Sequence, residues 1–191
     1  MTAEEKQIQR RKGIAARKGL TPAARAEANG EICRQLVQWE RMQQAEVILA
    51  YAAFGGEVDL TNFLTWAEQQ GKTVAYPVCL EGCAMVAAVP QGAAGWETGR
   101  YGIRTPVLDR SRLVQPEELD VVLVPCTAFD EDCWRVGMGK GYYDRYLPRC
   151  TRAERVGVAF EAQKVPHAAT DCYDQRLDAY VTERTIYTWK K

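Results

Sequence analysis

Along this chain the apolar positions switch between a helical period and short continuous runs. Ile32, Leu36 and Trp39 recur at helical spacing and mark the inward stripe of a helix that opens at Thr21-Pro22, with proline at its first turn. An earlier helix is predicted from a capping box between Thr2 and Glu5, running to Lys18, with Gly19 as its stop. A third is predicted from a cap at Asp59 through Gln70, ended by Gly71. Between and after these lie apolar, partly β-branched runs at 47–51, 73–78, 85–89, 121–125 and 155–160, which read as strands. The turn residues Glu81-Gly82 predict that 85–89 is added antiparallel to its predecessor, and 121–125 is the most apolar run and the expected centre of the sheet.

Strands alternating with helices predict an α/β fold. The expectation is a three-layer α/β/α sandwich with a mainly parallel, Rossmann-like sheet, residues 1–191 forming a single domain. No repeat or interdomain linker interrupts it. The glycine-dense stretch 91–106, with Trp96, Tyr101, Gly102 and Ile103, is a connector long enough to be a binding loop.

Composition narrows the partners. Lys plus Arg and Asp plus Glu each number 25, so no global field favours nucleic acid or an anionic membrane, and attraction for anions must be local. No apolar run approaches the roughly 20 residues that cross a bilayer, and the N-terminus lacks an apolar signal core, so a cytoplasmic location is expected. Seven cysteines without a CxxC pair, beside one histidine, read as free thiols rather than a metal site. The basic N-terminal run admits three readings: a solvated helix face, a mitochondrial presequence that Glu4 and Glu5 argue against, and an anion grip. In the last, Lys6 and Arg10 stand at i and i+4 and project from one helical face.

The densest chemistry lies in Arg-Val-Gly-Met-Gly-Lys-Gly-Tyr-Tyr-Asp-Arg at 135–145. Gly137, Gly139 and Gly141 alternate with Met138 and Lys140, leaving peptide N–H groups uncovered, and concave runs of such groups bind anions. Arg135 and Lys140 add positive charge, and Asp144 offers a hard oxygen of the kind that Mg²⁺ prefers. The spacing is neither that of a P-loop nor GxGxxG. The alternative is a glycine-rich surface turn closing a short helix.

This motif, RxGxGxGYYDR, resembles that of the 5-formyltetrahydrofolate cyclo-ligase family, also called 5,10-methenyltetrahydrofolate synthetase. Weaker likenesses run from Lys6 to Thr182, with Thr105, Cys126 and Cys133 departing from the family pattern. The resemblance implies ATP as co-substrate, Mg²⁺ as cofactor and a reduced folate as substrate. It places ATP on Lys6, Arg10, Arg135, Gly137, Met138, Gly139, Lys140, Gly141, Tyr142 and Tyr143, with Lys140 and Arg135 acting in catalysis. It places folate on Glu57, Phe54, Tyr101 and Tyr142, and Mg²⁺ on Asp144 and Asp178. From residue type alone, Glu57 equally suits a solvated loop or helix start, and Tyr101 a plug onto the core.

The implied reaction is ATP-dependent closure of 5-formyltetrahydrofolate to 5,10-methenyltetrahydrofolate. The partners are small molecules, with no nucleic acid or membrane, and the chain is expected to work as a monomer. Two other readings compete: an α/β enzyme of sugar phosphates or coenzyme A esters, and a nucleic-acid-binding module using the basic N-terminus.

Overall fold

A computed structural model describes residues 2–99 and 102–189. Five α-helices, α1 (Ala3–Gly19), α2 (Pro22–Gln38), α3 (Glu40–Gln44), α4 (Thr61–Gln69) and α5 (Tyr142–Tyr146), are found among these residues. The capping box at Thr2 and Glu5 is present, and Thr21 caps α2 ahead of Pro22, as the sequence predicts. The third expected helix starts later than Asp59. Its carboxylate accepts from the N–H and hydroxyl of Thr61 at 2.9 and 2.6 Å, folding a turn ahead of α4 instead of capping it.

Among the described residues, eight strands form the main sheet. They are β1 (Val47–Leu49), β2 (Thr73–Cys79), β3 (Met85–Pro90), β6 (Ser111–Val114), β7 (Val121–Pro125), β10 (Glu154–Val158), β11 (Ala179–Val181) and β12 (Ile186–Thr188), in the order β12-β11-β10-β7-β1-β2-β3-β6. The middle five are parallel; β3, β6 and β12 pair antiparallel with their neighbours. β7 lies inside the sheet between β10 and β1. The sequence reading missed β6 and β12, short edge strands whose mixed polar composition carries little apolar signal. It also treated 91–106 as an open connector, where the chain forms a hairpin of β4 (Trp96–Thr98) and β5 (Arg104–Pro106). A last ribbon joins β8 (Ala128–Phe129) and β9 (Arg135–Val136).

Period two along β7 explains the layers. Val121 and Leu123 face a core shared with Ile32 and Leu36 of α2 and Phe63 of α4, whereas Val122 and Val124 face Tyr146, Leu147 and Tyr180. Helices therefore cover both faces of the sheet, as expected of a three-layer sandwich. The N-terminal helix packs elsewhere, on β8, β9 and the turn Glu161–Gln163 beyond the carboxyl end of β10. It approaches so closely at Gly13 that an added Cβ would stand 1.8 Å from the Thr127 carbonyl oxygen.

Two of the residues that depart from the resembled pattern, Cys126 and Cys133, differ in backbone conformation. Cys133 takes φ 65°, a left-handed conformation natural to glycine, inside a turn closed by its own N–H on the Asp130 carbonyl at 3.1 Å; Cys126 has no positive φ. The backbone thus keeps a glycine-like path at one of the two, against a steric cost of about 1–2 kcal/mol. All seven thiols are free.

Candidate active site

In open α/β sheets the crevice beyond the carboxyl ends of the strands is the usual ligand site. Here that crevice is a cavity of about 1100 Å³, with Tyr51 after β1, Cys79 at the end of β2 and Pro125-Cys126 at the end of β7 on its floor. The run 135–145 forms one wall, the start of α1 the rim above it, and the β4–β5 hairpin the far side.

Each glycine of the 137–141 loop makes room for a guanidinium. A Cβ on Gly137 would lie 2.8 Å from Arg135 Nη1, one on Gly139 3.1 Å from Arg10 Nη2, and one on Gly141 2.6 Å from Arg145 Nη1. Gly139 and Gly141 also take φ 90° and 70°, left-handed values that side chains disfavour. Arg10 Nε donates to the Gly137 carbonyl at 2.8 Å, and Arg145 Nη1 donates to the carbonyls of Lys140 and Gly141 at 3.1 and 2.9 Å. Loop carbonyls are thereby drawn to arginines. Among the described residues, the N–H groups of Met138, Gly139 and Lys140 donate to no protein acceptor. Exposed Lys140 and Met138 line the cavity beside them.

Arg135 is 4% exposed, and its Nη2 donates to Asp144 Oδ1 at 2.5 Å. Its guanidinium also stands 5.8 Å from the ring centre of Tyr143. Burial pushes the Tyr143 phenol far above its ordinary pKa, so it remains a neutral donor, and its buried Oη has no protein partner. Tyr142 also lines the cavity and hydrogen-bonds the Cys79 thiol.

Opposite, Phe54-Gly55-Gly56-Glu57 is a tight turn. Glu57 N–H donates to the Phe54 carbonyl at 3.1 Å, with φ of 59° and 80° at the two glycines, the left-handed pair of a type I′ turn. The Phe54 N–H returns a bond to Glu57 Oε2 at 3.0 Å. Burial pushes the Glu57 carboxyl up, opposed by that N–H and by the charge of Arg17. Phe54, 40% exposed, gives an apolar platform at the mouth.

Of the residues assigned from sequence, Lys6, Arg10, Phe54, Glu57, Arg135, Gly137, Met138, Gly139, Lys140, Gly141, Tyr142, Tyr143 and Asp144 all line this one cavity. Tyr101 lies outside the described residues. Asp178 requires correction, because the structure does not bring it to Asp144. It stands at the amino end of β11, where its Oδ2 accepts from the Arg155 N–H at 2.9 Å and its own N–H donates to the Arg155 carbonyl. It ties β10 to β11 at the end of the sheet away from the cavity.

Asp171 and Asp174 also line the cavity, and no sequence motif singles them out. Lys6 Nζ reaches Asp171 at 2.7 Å and also contacts Asp174. Burial pulls the Lys6 pKa down, but these two carboxylates outweigh it and leave the ammonium above its ordinary value. Arg17, 2% exposed, stands behind the cavity wall rather than on it, with Nη1 3.8 Å from Glu57 Oε1. Its signal was in the spacing: Lys6, Arg10, Gly13 and Arg17 stand at i, i+4, i+7 and i+11, one helical stripe. Among the described residues, no group of three or more His, Cys, Asp or Glu forms a metal cage, and no helix is long and apolar enough to cross a membrane.

Residues 2–183 match the model of the 5-formyltetrahydrofolate cyclo-ligase family. The 5-formyltetrahydrofolate cyclo-ligase of Escherichia coli K12 is 28% identical over 179 residues, covering 91% of this chain and 97% of the relative. A probable 5-formyltetrahydrofolate cyclo-ligase of Schizosaccharomyces pombe is 28% identical over 170 residues, covering 81% and 83%. In three dimensions the chain is similar to the 5,10-methenyltetrahydrofolate synthetase of Aquifex aeolicus, with a TM-score of 0.86 at 30% identity over 97% of this chain and 93% of the other.

Proposed function

This chain belongs to the 5-formyltetrahydrofolate cyclo-ligase family and is an enzyme of that kind, and from that premise we propose that it closes 5-formyltetrahydrofolate to 5,10-methenyltetrahydrofolate at the expense of ATP and with Mg²⁺. The observation that carries the proposal is the arginine-braced glycine loop, which stands with Lys6, Arg10 and Lys140 on one side of a cavity whose other side offers Phe54 and Glu57.

The formyl oxygen of the substrate is an amide oxygen and a poor leaving group. Phosphorylation changes that: the oxygen attacks the γ-phosphorus of ATP, the bond to the bridging oxygen breaks, and ADP departs. The second folate nitrogen then attacks the formyl carbon and loses its proton. Phosphate leaves with the former formyl oxygen, and the ring is closed. Phosphoryl transfer of this kind needs alignment and charge neutralisation more than a protein nucleophile. The free N–H groups of the 138–140 backbone bind phosphate oxygens, and Lys140 and Arg10 balance their charge. Lys6 exchanges Asp171 and Asp174 for phosphate. Arg135, locked to Asp144, fixes the loop from below and adds positive potential.

Glu57 takes hydrogen bonds from the donor-bearing edge of the pterin, while Phe54 and Tyr142 offer aromatic faces. Of the acids that line the cavity, Asp144, Asp171 and Asp174, beside the glycine loop and the start of α1, are each already paired with a cation. Such a donor set fits a hydrated Mg²⁺ that arrives with the nucleotide better than a resident ion in a protein cage. When bound, that ion neutralises phosphate charge.

The test is an absorbance assay for the methenyl product, with purified protein, 5-formyltetrahydrofolate, Mg²⁺ and ATP, run against controls lacking ATP. Product that depends on ATP is expected. Absence of product, or product independent of nucleotide, overturns the proposal.

A further inference from the structure

Arg17 is the one long basic side chain of α1 that turns fully inward. It is 2% exposed, and a guanidinium keeps its proton wherever it is buried, so its charge needs an answer nearby. Its Nη1 donates to the Cys126 carbonyl at 3.3 Å, and its Nε has no partner. The carboxylate within ion-pair range is Glu57, with Oε1 3.8 Å from Nη1. Glu57 Oε2 is taken by the Phe54 N–H. Among the described residues no hydrogen bond reaches Oε1, which belongs to a side chain lining the cavity and 14% exposed.

We infer that Arg17 is a positioning residue: from behind the cavity wall it holds Glu57 as an oriented carboxylate, with one oxygen left for a ligand that presents N–H donors. This inference rests on the proposed role of Glu57 in binding the folate ring. The pair is too long for a direct hydrogen bond, and that suits the task. A carboxylate fully engaged by a guanidinium would have no acceptor to offer, whereas a cation 3.8 Å away favours the ionised form against burial and leaves one oxygen open.

Apart from Arg25, the other groups packed around Glu57 supply no charge. Tyr51 at the end of β1, Cys126 at the end of β7 and Tyr143 of α5 are each held neutral by burial. Arg25 of α2 lies behind Gly56 and donates from Nη2 to the Arg17 carbonyl at 2.8 Å, bracing the end of α1. Burial already raises the Glu57 pKa, and Arg17 is the cation opposing it. Without Arg17 the carboxyl would protonate at higher pH.

The experiment measures KM for 5-formyltetrahydrofolate and for ATP against pH in wild type, Arg17→Met, Arg17→Lys and Glu57→Gln. In wild type the folate KM should rise on the acid side as Glu57 protonates, and Glu57→Gln should remove that rise. Arg17→Met should move its midpoint up by about one pH unit, the effect of losing an opposite charge at this range. Arg17→Lys should return the midpoint towards wild type, and the ATP KM should stay within about twofold throughout.

A folded Arg17→Met enzyme with the wild-type midpoint overturns the inference. If Glu57→Gln leaves the folate KM and its pH dependence unchanged, the proposed role of Glu57 is what fails. Should Arg17→Met fold too poorly to assay, urea unfolding of Arg17→Met/Glu57→Gln decides. Removing the orphaned carboxylate should recover part of the lost stability, and strictly additive losses overturn the pairing of Arg17 with Glu57.

Discussion

Arg10 Nε donates to the Gly137 carbonyl at 2.8 Å, so the N-terminal helix and the glycine loop, 127 residues apart, form one wall. The same guanidinium reaches Gln7 Oε1 through Nη1 at 2.6 Å and lies over Gly139, where a side chain would displace it. A hydrogen bond from a charged donor contributes about 1.5–3 kcal/mol, enough to hold a flexible loop in register. Arg10→Ala should therefore raise the ATP KM by about tenfold or more while leaving the folate KM near wild type. Equal weakening of both substrates would mean that Arg10 supports the whole cavity and not its phosphate side.

Lys140 is exposed at the loop and lines the cavity with no acidic partner among the described ion pairs. In the proposed phosphoryl transfer, its charge would be available to developing negative charge. For Lys140→Ala the expected loss is in kcat, on the order of a hundredfold, with little change in folate affinity. Unchanged turnover would remove the residue from the mechanism.

Gly13 of α1 tests whether helix position, and not only helix charge, matters. An alanine there gains helical propensity of about 1 kcal/mol but drives its Cβ to 1.8 Å from the Thr127 carbonyl. Backbone must move, and overpacking of this sort costs about 1–3 kcal/mol. Gly13→Ala should lower the urea midpoint and, by shifting α1, weaken ATP binding as well. A stabilised protein with normal ATP affinity would refute the close packing.

Asp144 and Asp178 should separate cleanly. Asp144→Asn leaves the 4% exposed Arg135 without its carboxylate, a loss of about 2–3 kcal/mol for a pair that is partly open to solvent. It should also shift the Mg²⁺ concentration needed for activity. Asp178→Asn, at the far end of the sheet, should lower stability alone; a Mg²⁺ titration run on both variants makes the comparison.

Asp120 sets a pH limit on the fold. Its Oδ2 accepts from the N–H groups of Glu46 and Val47, both at 2.9 Å, and its Oδ1 meets Arg152, joining the starts of β1 and β7. Burial alone would push its pKa up, but these donors outweigh burial and hold it below its ordinary value. A depressed carboxyl stabilises the protein above its unfolded pKa, and that stability is lost as pH falls through the folded value. Acid unfolding should accordingly occur at higher pH in Asp120→Ala, with about 2 kcal/mol less stability at neutral pH in urea titrations.

Much of this protein was fixed by local chemistry. Thr2 with Glu5 and Thr21 with Pro22 specify helix starts through neighbours in sequence, and the apolar run at β7 can be stable only when both its faces are buried. The glycine-loop signal was equally local, since Gly137, Gly139 and Gly141 alternate within five residues. What residue order could not carry was partnership across the fold. Edge strands β6 and β12 exist because neighbouring strands offer them hydrogen bonds, not because their own residues demand it. The roles of Asp171 and Asp174 against Lys6, of Arg17 against Glu57, and the removal of Asp178 to the opposite end of β11 depend on which loops leave the same end of the sheet. Charges interact through distance, and only the folded chain sets the distances between residues far apart in sequence.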